Sequence, residues 1–346
     1  MNSDWVGFLT KNGAIIENGK IIHFGDIREE QNAAINNEVL CDLSHLGLIK
    51  VSGTDAKTFL QGQFSNDVND VSPSVSQLNS YNSPKGRMYA SFRLYQLGDD
   101  YLIQLPQENI EPTLKRLQMF VMRSDVKLQD ISEDMLGLGV SGPRAEEILA
   151  KQFNQVPDTM DACVSWDNGL IARIPGTQAR FVVICKAADA QAYWQILSSQ
   201  CKPCGPQAWT LLDILAGIPN VYLATREEFV AQMLNFHSIN GVNFKKGCYP
   251  GQEIVARMHY LGKLKKRMYR VNIDTATLPA INAAIFAKGN EQSVGQLVDC
   301  CVSPDNTCEA LVVLQIKNAD EELHLATQDG PGINLQELPY EVSNEA

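Results

Sequence analysis

The stretch Asn243-Phe-Lys-Lys-Gly-Cys-Tyr-Pro-Gly-Gln-Glu253 divides the chain into two kinds of sequence. Before it, helical and strand patterns alternate; after it, β-type runs dominate. Two lysines stand two and three residues before Cys248, and their positive potential favours thiolate over thiol. Gly247 and Gly251 permit unusual backbone angles, and Pro250 stiffens the turn between them. Glu253 opens a helical pattern, whose positive end further stabilises an anion at Cys248. Cys248 is therefore the candidate reactive thiol, with Lys245 and Lys246 lowering its pKa. The plainer alternative is a cysteine buried in a turn.

Outward toward the C-terminus, strand-like runs at Met268–Ile273, Ala283–Ala287, Val294–Val298 and Ala310–Ile316 are separated by turn residues at short spacing. That pattern predicts a small sandwich or barrel beginning after a boundary near 255–265. The tail after about 335 is expected to be partly disordered.

Outward toward the N-terminus, residues 5–24 alternate weakly, and either Asn12-Gly13 or Asn18-Gly19 could turn a hairpin. Leu46–Val51 reads as a strand, followed by a helix over 56–63 whose cap is Ser52-Gly53-Thr54-Asp55. Strand-like runs over 78–81, 87–97 and 101–105 come next. Ile110, Leu114, Leu117, Phe120 and Val121 then repeat at three and four residues, as a buried helix face requires. This first part reads β-α-β-β-β-α. A similar order recurs: a strand over 136–140, a helix over 145–153 behind Pro143, strands over 170–174 and 181–184, and a helix over 189–198. Two α+β subdomains, 1–130 and 131–260, thus precede a β-rich part, 261–346.

The chain has 346 residues with 29 Lys+Arg against 40 Asp+Glu, a net charge of −11. With 45% hydrophobic and 20% charged residues it can bury a sizeable core, which excludes global disorder. The acidic balance excludes a generally basic nucleic-acid or membrane binder. One window departs from it. Residues 245–270 hold eight basic residues against Glu253 alone, a net +7 around the best candidate cysteine. It would attract an anionic small molecule or an acidic partner; RNA ranks last, because no recognition motif accompanies the charges. No run approaches the ~20 apolar residues of a membrane span. No leader is visible, and nine cysteines without a disulfide framework suit reduced thiols, so a cytoplasmic protein is expected.

The cysteine stretch also carries a resemblance. Lys246-Gly-Cys-Tyr-Pro-Gly-Gln-Glu253 resembles the signature of the YgfZ family of folate-binding, tRNA-modification-linked proteins. That family is related to the aminomethyltransferase (T-protein) of the glycine cleavage system. Phe229-Val-Ala-Gln-Met-Leu-Asn235 and Gly241-Val-Asn-Phe244 are similar to the family's approach to the motif. Asp42-Leu-Ser-His-Leu-Gly47, Gly53-Thr-Asp-Ala56, Phe59-Leu-Gln-Gly-Gln63 and Asn66-Asp67-Val68 resemble the shared superfamily pattern. The resemblance covers residues 40–340.

The resemblance implies an α+β fold in which two related subdomains and a C-terminal β-barrel surround a central tetrahydrofolate cavity. It implies an accessory role in assembly or repair of iron–sulfur clusters in client enzymes, including those that methylthiolate tRNA. Its key cysteine maps onto Cys248. Trp209, Leu46 and Gln252 fall where folate contacts are expected, and a flat indole suits a pteridine. Leu215 stands where relatives have glutamate, an acceptor for pterin amino groups, so those donors need another partner. Asp213 is the nearest substitute, although it faces elsewhere if the segment is helical.

The rival function is a tetrahydrofolate-dependent aminomethyl or one-carbon transferase. Against it, Met88-Tyr-Ala-Ser-Phe-Arg93 has no carboxylate where that enzyme carries its catalytic aspartate. A third possibility is an interaction scaffold with a vestigial folate cavity. Cys201-Lys-Pro-Cys204 has redox spacing but opens no clear helix after a strand, and one such pair is weak for zinc. The five histidines show no metal-site spacing. No resident metal is expected.

Overall fold

The computed structural model describes residues 2–342, apart from the side chain at 261. The first elements are α1 (Ser3–Lys11), β1 (Ile15–Glu17), β2 (Lys20–His23), α2 (Ile27–Asn36), β3 (Val39–Asp42), β4 (Leu46–Ser52) and α3 (Ala56–Gln61). Next come β5 (Gln77–Asn82), β6 (Met88–Leu97), β7 (Asp100–Pro106), α4 (Ile110–Gln118), β8 (Lys127–Asp130), β9 (Met135–Ser141) and α5 (Ala145–Gln152). Then follow β10 (Cys163–Trp166), β11 (Gly169–Arg173), β12 (Arg180–Lys186), α6 (Ala187–Leu197), β13 (Lys202–Cys204), α7 (Pro206–Leu215) and α8 (Gln252–Leu261). The last six strands are β14 (Lys266–Ile273), β15 (Ala284–Ala287), β16 (Ser293–Val302), β17 (Cys308–Gln315), β18 (Leu323–Leu325) and β19 (Gly332–Gln336). The fold class is mixed helix and strand with a closed C-terminal barrel.

The chain forms two compact units. The first gathers the chain up to Phe59, Asn69–Gln77 and Arg93–Leu212; the second gathers Leu60–Val68, Leu78–Phe92 and the chain from Asp213 onward.

In the first unit, six strands form a sheet in the order β10-β11-β12-β9-β3-β13. Its two faces bury different sets of side chains, because successive residues of a strand point opposite ways. Leu136, Leu138, Val140, Phe181 and Val183 pack with Trp5, Leu149 and Trp194 from α1, α5 and α6. Leu170, Ala172, Val182 and Ile184 join Val39, Cys41, Ala208 and Trp209 in a second cluster. The Arg93–Leu97 end of β6 pairs antiparallel with β7, β7 with β4, and β4 with β8.

The N-terminus departs from the expected weak strand. Residues Ser3–Lys11 are helical, because the Asn2 side chain accepts the Trp5 amide as an N-cap, and Trp5 and Leu9 share the buried face. The hairpin forms at the second Asn-Gly pair, where Asn18 and Gly19 both take positive φ, 50° and 75°. The helix from Ile110 also ends earlier than its pattern suggests. It stops at Gln118, where the backbone tightens into i→i+3 bonds, and this leaves Phe120 42% exposed.

In the second unit, β14-β17-β16-β15-β18-β19 close into a barrel, with β19 returning to pair with β14 from Arg270↔Gln336 to Ile273↔Ile333. Val271, Ile273, Ile285, Leu297, Val312 and Ile333 fill it. The tail is ordered further than expected: the Tyr340 hydroxyl donates to the Gly217 carbonyl at 2.8 Å. Residues 343–346 lie outside the described residues.

Candidate functional site: the Cys248 loop

Cys248 is exposed, whereas the other eight cysteines are buried. The loop that displays it is held from both sides by the second unit's own backbone. Asn243 Oδ1 accepts the amides of Lys245 and Lys246 at 2.8 and 3.1 Å, bending the chain as an Asx turn does. The preceding segment is tied to residues 65 and 66. Ser65 Oγ donates to the Gly241 carbonyl at 2.8 Å, Asn66 Nδ2 to the Asn240 carbonyl at 2.6 Å, and the Asn243 amide to the Ser65 carbonyl at 3.0 Å.

Lys246 then turns inward. Its Nζ donates to the carbonyls of Gln61, Phe64 and Asn66 at 2.8, 2.6 and 2.9 Å. Burial lowers its pKa to about 8, against the attraction of Asp67. Tyr249 is buried as well, with its ring centroid 5.2 Å from Lys246 Nζ. Lys245, Gly247 and Cys248 are exposed.

The far side of the loop is fixed by glycine. Gly251 precedes α8 with φ +79°, and a Cβ there would lie 2.4 Å from the Ser83 carbonyl oxygen. Only glycine meets both demands without strain. Gln252 closes the loop: its amide donates to the Tyr249 carbonyl at 3.2 Å and its Nε2 to the Lys246 carbonyl at 3.3 Å. Cys248 thus sits on a short, braced arch at the N-terminus of α8.

Of the residues singled out from sequence, Cys248, Lys245, Lys246 and Gln252 share this loop. Trp209 and Leu46 belong to the first unit. Trp209 is 1% exposed, with the Arg180 guanidinium 3.9 Å from its ring centroid. Its six-membered ring lies against Gly139, where a Cβ would approach to 2.4 Å. No part of the indole is open, so any contact with a pterin would run through the residues that enclose it. Leu46 is half-buried and opens β4, paired with Pro106. For pterin amino groups the second unit offers an acceptor in the Asp213 carboxylate, which accepts from Asn220 Nδ2 at 3.4 Å. A carboxylate is the kind of acceptor that a pterin's amino groups need, whereas Trp209, in the first unit, has no free face for a ring.

Asp299 was invisible to the sequence patterns. It is 1% exposed on β16, accepts the Tyr222 hydroxyl at 3.0 Å and its neighbour Cys300 amide at 2.9 Å, and burial raises its pKa to about 7. The signal was a lone carboxylate inside the apolar run Leu297-Val-Asp-Cys-Cys301. Among the described residues no group of histidines, cysteines and carboxylates could hold a metal ion, and no helix is long and apolar enough to cross a membrane.

Aminomethyltransferase T of the glycine cleavage system from Bartonella henselae superposes on the chain with a TM-score of 0.74, covering 98% of this chain and 97% of that one at 15% identity. The fold is therefore aminomethyltransferase-like. Residues 19–214 match the GCVT N-terminal domain model. The tRNA-modifying protein YgfZ of Colwellia psychrerythraea is 31% identical over 312 residues, 89% of this chain and 95% of the relative. YgfZ of Photorhabdus laumondii is 28% identical over 88% of this chain and 93% of its own. The chain belongs to the YgfZ family of GCVT-domain proteins.

Proposed function

We propose that the chain is a tetrahydrofolate-binding accessory protein that supports iron–sulfur cluster assembly or repair in client enzymes, tRNA-methylthiolating enzymes among them. The observation that carries this reading is the solitary exposed thiol of Cys248 on a braced loop. A thiol so displayed can reach a partner's cluster or thiol without unfolding its own surroundings. The exposed Lys245 places positive charge on its N-terminal side, and α8 places a helix N-terminus on the other. The names of the relatives supply the link to tRNA modification.

Tetrahydrofolate, when bound, would supply a one-carbon carrier. Within the second unit, Asp213 would accept its amino groups and Gln252 would border it. The aminomethyltransferase alternative is disfavoured because Met88–Phe92, the start of β6 in the second unit, is buried and has no carboxylate to carry proton transfer.

The deciding experiment is complementation of a deletion strain, read as methylthiolated tRNA nucleosides by mass spectrometry. Cys248→Ser should leave them near the level of the empty strain; restoration equal to wild type would refute the thiol mechanism. Calorimetric titration with tetrahydrofolate, repeated on Trp209→Ala, tests the folate part. No binding at millimolar ligand would leave only an interaction scaffold.

A further inference from the structure

Lys246 stands two residues from the thiol, where sequence alone makes it an activating charge. Its geometry serves a different end. An ammonium has three N–H donors, and here three backbone carbonyls accept from it, those of Gln61, Phe64 and Asn66. Gln61 is the last residue of α3, where carbonyls lack intrahelical partners and the helix dipole is negative. With all three donors so engaged, none is left to hydrogen-bond the sulfur of Cys248.

We propose that Lys246 is the positioning residue of the Cys248 loop: its ammonium bolts the loop to the backbone of residues 61–66 and so fixes where the thiol is presented. The inference rests on Cys248 being the working thiol of the proposed function. It is supported by the company the bolt keeps. The three bonds from Ser65, Asn66 and Asn243 join the same two segments, and Gln252 ties the Lys246 carbonyl to α8. Two carbonyls of the 61–66 turn, Phe64 and Asn66, face a buried cation that no water replaces cheaply. The charged neighbour acting on the ammonium is Asp67, itself held by Gln61 Nε2 at 3.0 Å. Burial disfavours the charged form of Lys246, so the cation is retained at a cost, as expected of a group kept for what it positions.

The test separates holding from activating. In Lys246→Met, amide exchange over 61–67 and 243–249 should speed by about ten-fold, while the pH midpoint of Cys248 alkylation stays within ~0.2 of wild type. Lys246→Arg keeps the cation and should recover part of the protection. A shifted midpoint with unchanged exchange would show Lys246 to be an activating charge and overturn the proposal, as would no change in either. Should Lys246→Met not fold, the wild-type protein decides: slowly exchanging Nζ protons in nitrogen-15 spectra support the bolt, and a solvent-averaged ammonium refutes it. Restoration of methylthiolation by Cys248→Ser would overturn the proposed function alone, because the exchange measurements do not depend on it.

Discussion

The Tyr222 hydroxyl donates to Asp299 Oδ2 across 3.0 Å inside the second unit, one of the few bonds available to a carboxylate that is 1% exposed. Burial raises the Asp299 pKa from 3.8 to about 7, with the nearby Asp213 adding to it and Tyr222 opposing. Between those values the folded state holds a proton that the unfolded chain releases, so stability falls as pH rises through the window. The whole difference is on the order of 4 kcal/mol. Asp299→Asn should flatten the dependence between pH 4 and 7 and melt higher than wild type at pH 8. Thermal melts across that range check it, and parallel slopes for the two proteins would exclude Asp299 as the titrating group.

Selective chemistry at one cysteine follows from burial of the rest. Brief treatment of the native protein with iodoacetamide should give a single adduct on Cys248, seen by intact mass and peptide mapping. Cys248→Ser should give none until denaturant is added. Rapid multiple adducts on the native wild type would mean that the buried thiols open to solvent on the same timescale.

Gly251→Ala tests the arch itself. Its φ of +79° costs an L-residue about 1–2 kcal/mol, and the added Cβ meets the Ser83 carbonyl at 2.4 Å. Together these should lower stability by roughly 2–4 kcal/mol and change the rate of Cys248 alkylation. Gly247→Ala is the control, because nothing lies within 4 Å of a Cβ there. Equal melting temperatures for the two variants would contradict the close packing of Gly251 on the Ser83–Gly86 turn.

Much of this architecture was legible because it is written in short-range periodicity. Phe181–Ile184 and Ala310–Leu314 are strands for the reason their apolar, β-branched runs suggest. Other elements rest on distant partners. Lys202–Cys204 contains a proline and becomes a strand by pairing in parallel with Val39–Cys41, more than 160 residues earlier. At the site, the glycines, lysines and cysteine identified the loop, but the direction of Lys246 did not follow from spacing. Its acceptors lie some 180 residues away, and only folding brings them to it. Trp209 was picked out by its place in the family resemblance; that Arg180 and Gly139 enclose it depends on strands β9 and β12 meeting α7.

Closure of the barrel has a consequence for synthesis. Of the six barrel strands β19 is the last to leave the ribosome, and until it pairs with β14 and β18 both of those strands keep an unpaired edge. Unpaired edges recruit other strands. A chain ended before Gly332 by a nonsense mutation would therefore expose two sticky ribbons, and it should accumulate in inclusion bodies or be degraded.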